Sequence, residues 1–485
     1  MRIRTHPLIY EINTWAWLTA LSRRYGRPIT LESIPTEEYD ALADWGFDAI
    51  WLMGVWERSP AARDLARRPL VLDEYRRALP DLKADDAVGS PYAIHRYVVD
   101  AYLGGPDGLA RCRAELARRG LSLLLDYVPN HVAVDHPWLS EHPDAVVHGD
   151  ERALAVDPVT FFRGPRGDVV AHGRDPYFPA WADTAQINAF APAARDLAHN
   201  TLEKLADQCD GVRCDMAMLL LNRIFANTWR GSVEPTPQNE FWAEIISAIK
   251  ATHPDFVFMA EAYWDTEAEL QALGFDYTYD KGLYDLLREG KLASVRAALS
   301  RPPAFQARLA HFVENHDEDR AVLAFGAQRS LTAAAISLLI PGARLLHEGQ
   351  LAGWRIKAPV QLGRRLEEAT DLIVEPFYRA LLGELRQPVY HDGAFTSLAE
   401  AVTYTGDVLG WYWALESDWR LVVVNYANRQ LSVSIALPEG LGLVGPLPVR
   451  EVLSTNSVVI SGARPSDVAL DLVLPAFGVQ IWRPR

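Results

Sequence analysis

The sequence predicts an α/β fold, a (β/α)8 barrel of parallel strands, and two observations carry that prediction. Short apolar runs alternate with helix-length segments from Leu8 to Leu346. Four of the runs end on an acid: 121–125 on Asp126, 211–214 on Asp215, 256–260 on Glu261 and 311–316 on Asp317. One carboxylate can stop any strand, so a single such ending says little. Four of them gather acids at one end of a parallel sheet, and in a closed barrel that end carries the chemistry.

The elements follow in order. Residues 8–12 read as a first strand, 37–45 as a short helix closed by Gly46, and 49–53 as a second strand. Helix 109–119 presents Leu109, Cys112 and Leu116 on one face, has Asp107 near its start, and ends at Gly120 before the strand that leads to Asp126. Helix 192–206 precedes the Asp215 strand, and helix 241–251 precedes the Glu261 strand. The run 256–259 is four large apolar residues, as expected of a strand buried on both faces. A weak strand signal at 275–279, the run ending at Asp317 and a last strand at 343–346 complete eight candidates.

Two stretches break the alternation. Residues 132–187 are rich in Pro, His, Asp and Gly, and their length argues for a small inserted domain after the third strand. Residues 56–89 form a second insertion, with helical character at 63–68 and 72–79. From about 387 the pattern changes to alternating strands, at 411–413, 421–424, 431–435 and 479–482, the mark of an antiparallel β-sandwich. The expected division is barrel over 1–131 and 188–386, inserted domain over 132–187, and sandwich over 387–485.

Composition narrows the class of function. The chain has 485 residues with 49% hydrophobic and 23% charged, the balance of a soluble globular protein. A net charge of −15 without a dense basic run argues against nucleic acid and anionic membranes as partners. Cys112, Cys209 and Cys214 show no metal-ligand spacing, and three scattered cysteines fit a reducing compartment better than a disulfide framework. The segment Met1 to Pro7 has no apolar targeting core, and the apolar run 331–346 is broken by Pro341-Gly342, so a cytoplasmic location is expected. Fifteen Trp are mostly core, with a minority available to stack on sugar faces.

The acids sit in motifs that resemble those of the α-amylase family, glycoside hydrolase family 13. Asp126-Tyr127-Val128-Pro129-Asn130-His131 resembles the first, Gly211-Val212-Arg213-Cys214-Asp215 the second, Ala260-Glu261-Ala262 the third and Phe312-Val313-Glu314-Asn315-His316-Asp317 the fourth, in the family's order. The resemblance implies a retaining α-glycoside hydrolase in which Asp215 is the nucleophile, Glu261 the acid/base and Asp317 the residue that binds and distorts the sugar. Such chemistry needs one ionised and one protonated carboxyl ~5–5.5 Å apart. Arg213, two positions before Asp215, would keep the nucleophile ionised. His131, His316 and Asp126 would bind or brace the same sugar, and Tyr92 would be its aromatic platform. Asp183, Gln186 and Asn188 look like the family's motif at the end of the inserted domain, where a structural role is at least as good a reading.

The departures matter for substrate. Met218 and Leu219 stand where many members carry Lys and His for the acceptor side, and Arg96 stands where an Asp is usual. Asn130 matches a calcium ligand of many members, while the His whose backbone completes that site is absent; no cofactor is required by this reading. The expected substrates are short oligosaccharides or small α-glucosides. The alternatives are an α-glucosyl or maltosyl transferase or a phosphorylase using the same intermediate, which the run around Tyr92 and His136-Pro137-Trp138 resembles, and a non-catalytic carbohydrate-binding or scaffold relative.

Overall fold

The computed structural model describes residues 3–398, 407–436, 447–453, 457–460 and 469–484. Eight parallel strands close into a barrel: β1 (Leu8–Asn13), β2 (Ala49–Met53), β3 (Ser122–Tyr127), β4 (Gly211–Cys214), β5 (Val257–Ala260), β6 (Tyr277–Tyr279), β7 (Leu309–His311) and β8 (Ala343–His347). Each pairs with its neighbours in chain order, and β8 returns to β1 in register Ile9 with Leu345. All residues of β2, β3, β4, β5 and β8 are buried, because the barrel interior covers one face and the helices cover the other.

Local chemistry sets the helices. Gly105–Arg118 opens with Pro106 in its first turn, where a missing N–H costs nothing, and buries Leu109, Cys112 and Leu116 against the barrel. Pro192–Gln208 opens the same way and buries Ala198, Leu202 and Leu205. Phe241–Thr252 buries Trp242, Ile245, Ile246 and Ile249.

Two boundaries differ from the sequence reading, and one weak signal is borne out. The run 311–316 is not a strand: β7 ends at His311, and the motif residues continue beyond it as irregular backbone. Its apolar residues are buried by packing, and Glu314 is taken up by Arg320 at 2.7 Å, so neither needs a ladder. The weak signal at 275–279 does become a strand, since the pairing available on both sides decides it: Thr278 lies between Ala260 and Leu309. In the first insertion the helices are Pro60–Ala66 and Pro69–Tyr75, because each proline takes a first-turn position and starts its helix earlier than the apolar spacing suggests.

The first insertion leaves β2 through a hairpin, Trp56–Arg58 against Ile94–Val99. The second carries its own small core of Val132, Leu139, Val146, Val170, Ala185 and Ile187. Both rise from the carboxyl ends of their strands. Beyond the barrel, six antiparallel strands form one sheet, and Leu431–Ala436 pairs with Ala469–Leu474 in a second. Leu421, Val423, Val433, Ile435, Leu470 and Leu472 make their shared core. Trp411 and Trp413 of the larger sheet donate indole N–H bonds to the Leu339 carbonyl, at 3.0 and 2.7 Å, and so anchor it to the barrel.

Candidate active site

One guanidinium organises the carboxyl end of the barrel. Arg213, on β4, is fully buried. Its Nη1 donates to Asp215 Oδ1 at 2.7 Å, and its Nη2 lies 2.8 Å from Glu261 Oε2. Asp126 Oδ1 is 3.8 Å from Nη1. The rings of Tyr92, Trp51 and Tyr279 surround the cation at 5.1, 5.5 and 5.9 Å, the range in which an aromatic face stabilises it. A buried cation of this kind is tolerable only with such partners.

The backbone turns sharply after the second motif. Met216 adopts φ +45°, a left-handed conformation that costs an L-residue ~1–3 kcal/mol. The turn aims the Met216 N–H at Glu261 Oε2, 2.6 Å away. Tyr263 donates its hydroxyl to the other oxygen, Oε1, at 2.8 Å. Asp126 is fixed from below by the Gly54 N–H at 3.0 Å. Gly54 has φ +76°, and a Cβ there would come within 2.9 Å of Pro91 and Arg58, so the donor can approach only from glycine.

Asp317 and His316 close the group. His316 Nε2 lies 3.0 Å from Asp317 Oδ2 and 2.7 Å from the Tyr92 hydroxyl, and its Nδ1 contacts Glu11. The Asp317 side chain is 45% exposed, while Asp215 and Glu261 are buried. Lys357, from the loop after β8, donates to the Asp317 carbonyl. His131 is buried beside Trp181, with ring centroids 5.1 Å apart, and meets the Tyr92 backbone from the inserted domain.

The electrostatics separate the acids. Burial raises the Glu261 carboxyl to about 7 against the pull of Arg213, with Asp215 and Asp317 adding to the rise. Burial raises Asp215 as well, opposed by the charge and the direct hydrogen bond of Arg213. Burial would also raise Asp317, but the His316 charge overrides it and holds this carboxyl below the usual range. Burial lowers His131 to about 4, so it is a neutral hydrogen-bonding group at physiological pH.

The structure therefore brings Asp126, Arg213, Asp215, Glu261, His316, Asp317 and Tyr92 into one cluster, with His131 on its edge. Met218 and Leu219, at 0% and 3% exposure, are packed beneath the surface in the turn Ala217–Leu220 and face no open subsite. Gln186 is structural: its Nε2 donates to the Asn130 carbonyl at 2.8 Å and to Asn130 Oδ1 at 3.0 Å. Those are the acceptors a calcium ion at Asn130 would use, and among the described residues no group of His, Cys, Asp and Glu converges to hold a metal. The residues present do not fit a calcium cage.

Sequence reasoning missed Glu11, Trp51, Tyr263, Tyr279 and Lys357. An acid inside the apolar run 8–12 was a readable signal for Glu11. Nothing local marked Lys357, which reaches the site only through a long loop.

The two insertions and the loop after β8 are tied together around the mouth. Ser59 Oγ and the Ala61 N–H donate to Asp135 at 2.6 and 3.0 Å, which joins the first insertion to the second. Val88 N–H donates to the Gln361 carbonyl at 2.9 Å, and Arg364 Nε donates to Asp86 at 2.7 Å, which joins it to the β8 loop. Tyr177, Phe178 and Trp264 are 69%, 69% and 39% exposed, with the Tyr177 ring 4.9 Å from that of Trp264, which follows Glu261 by three residues.

No family model matches the chain. Among curated proteins, it is 26% identical over 460 residues to an α-amylase of Haloarcula japonica, covering 89% of this chain and 58% of the relative. It is 28% identical over 330 residues to an α-1,4-glucan:maltose-1-phosphate maltosyltransferase of Streptomyces coelicolor, covering 64% of this chain and 43% of the relative. The chain thus spans about half the length of these relatives. Among solved structures, a maltogenic α-amylase of Thermotoga neapolitana superposes with a TM-score of 0.69 at 18% identity, covering 99% of this chain and 98% of that one. No helix among the described residues is long and apolar enough to cross a membrane. With the barrel, the inserted domain and the four ordered motifs beside these relatives, the chain is similar to α-amylases and to α-1,4-glucan:maltose-1-phosphate maltosyltransferases, consistent with the α-amylase family, glycoside hydrolase family 13.

Proposed function

We propose that the protein is a cytoplasmic, retaining enzyme that cleaves α-glucosidic bonds of short oligosaccharides or small glucosides. The observation that carries the reading is the sharing of Arg213 by Asp215 and Glu261. Two carboxyls on adjacent nitrogens of one guanidinium are held close, which favours the ~5–5.5 Å spacing of double displacement over the ~6.5–9.5 Å gap that admits water in a single step. Asp215 attacks the anomeric carbon as Glu261 gives its proton to the departing oxygen. Glu261 then takes a proton from water, which attacks the glycosyl-enzyme ester and releases Asp215. Asp317 and His316 bind hydroxyls of the reacting sugar, and Tyr92 supplies a face for its ring.

The short-substrate preference follows from the ties between the insertions, not from Met218 and Leu219. Walls joined through Asp135 and Asp86 make a pocket more readily than an open groove. A long glucan then gains little from its distal units. Values of kcat/KM measured from maltose through longer maltooligosaccharides to soluble starch are expected to peak at a short member. Efficiency that climbs steadily with length, with internal cleavage of starch, would overturn this reading.

A second reading has its own observation. The exposed Tyr177, Phe178 and Trp264 offer aromatic faces beside the acid/base, where a sugar acceptor can stack and compete with water. The likeness to a maltosyltransferase adds to it. Chromatography of the products formed with and without phosphate, and with added maltose, separates hydrolysis from phosphorolysis and transfer.

The acid/base has a further expected behaviour. Tyr263 donates to the Glu261 carboxylate and so favours its ionised form. Tyr263→Phe removes that donor, and the Glu261 pKa rises. The alkaline limb of kcat/KM should move upward by about one unit, the scale of one hydrogen bond to a charged group. A limb that stays in place or moves down would separate Tyr263 from the acid/base.

A further inference from the structure

Glu11 takes no part in the double displacement, yet it is wholly enclosed, at 0% exposure, in the middle of β1. Its backbone lies between those of Trp51 on β2 and His347 on β8. One carboxylate oxygen faces His316 Nδ1, and the other meets no hydrogen-bond partner among the described residues. A carboxylate this deep is expensive unless a cation faces it.

The ring of His316 lies between two carboxylates. Nδ1 faces Glu11, and Nε2 faces Asp317 Oδ2 at 3.0 Å. A neutral imidazole has a lone pair on one of its nitrogens, and that lone pair would point at a carboxylate oxygen. Only the doubly protonated ring satisfies both neighbours. We propose that Glu11 is a positioning residue that holds His316 as an imidazolium, so that His316 offers a fixed N–H to the sugar-binding side.

The direction of the neighbouring hydrogen bonds follows. The single Nε2 hydrogen is shared between Asp317 Oδ2 and the Tyr92 hydroxyl, 2.7 Å away, which accepts and keeps its own O–H for a sugar hydroxyl. The other groups around the ring agree in sign. Trp51, on β2, meets it edge to face with centroids 5.6 Å apart. Asp126 from β3 and Asp215 after β4 add negative potential, while Arg213 and Lys357 are spent on Asp215, Glu261 and the Asp317 carbonyl. Burial opposes the charge, but Asp317 and Glu11 overcome it and raise the imidazole well above its ordinary range.

This inference deepens the role given to His316 and rests on the proposed function only where turnover is concerned. The test is 15N NMR of the ring nitrogens across pH 5 to 9, with His316 identified by the signals lost in His316→Gln. In the wild-type protein His316 should remain an imidazolium to at least pH 8. In Glu11→Gln, which keeps size and shape, it should be neutral at pH 8 and regain the proton near the ordinary value of about 6.5. The variant's kcat/KM should fall roughly tenfold or more at pH 8 and recover as the pH is lowered. In the His316→Gln background, Glu11→Gln should add no further loss. A neutral His316 in the wild type, or an unchanged charge in Glu11→Gln, would overturn the proposal. The wild-type titration alone decides the matter if the variant does not fold. Because the ring signals need no substrate, they remain decisive even if no α-glucoside is turned over, in which case only the proposed function falls.

Discussion

Asp215→Asn is expected to lower turnover by on the order of 10⁴-fold or more, the loss that follows removal of a nucleophile. The amide oxygen can still accept the hydrogen bond from Arg213, now at 2.7 Å from Asp215. Arg213 also keeps Asp126 at 3.8 Å as a counter-charge and the Glu261 carboxyl 2.8 Å from its other terminal nitrogen, so the buried cation is not stranded and the chain folds. The measurement is single-turnover and steady-state kinetics on an activated aryl α-glucoside, with circular dichroism to establish the fold. A folded variant that retains a tenth of the wild-type turnover would remove Asp215 from the covalent step.

Glu261→Gln is expected to divide substrates by leaving group. A sugar leaves poorly without a proton, so glycosylation by a natural disaccharide should slow by about 10²–10⁴-fold. An activated aryl α-glucoside needs no proton and should keep much of its glycosylation rate. The pH profile makes a parallel demand. Burial raises the Glu261 carboxyl to about 7, so the acid is protonated below that pH and lost above it. Wild-type kcat/KM should therefore fall as pH rises through about 7, and this limb should vanish in Glu261→Gln with the activated substrate. Equal losses on both substrates, with glycosylation limiting, would contradict the assignment.

Much of this was written in the sequence because it depends on local pattern. The barrel follows from apolar runs spaced by amphipathic helices, and that alternation survives any error of a residue or two at an element's end. The three acids were legible because each ends or follows a strand within a motif whose order is itself informative. The pairing of Arg213 with Asp215 needed only their spacing of two.

Tertiary structure decided the rest. The Phe312 to Asp317 stretch looks like a strand in sequence, but its buried apolar residues are satisfied by packing and by Arg320, so β7 stops at His311. Met218 and Leu219 follow Asp215 closely in sequence but point into the core, because the left-handed turn at Met216 carries the chain beneath the surface. The ties between the insertions and the loop after β8 depend on Asp135 and Asp86 meeting partners far away in the chain. Glu11 and His316 stand 305 residues apart and touch only because the barrel closes. Sequence pattern fixes what a residue can do within a turn or two of its own element, whereas the protonation state of a group is set by whichever charges closure brings against it, and those come from every strand of the barrel.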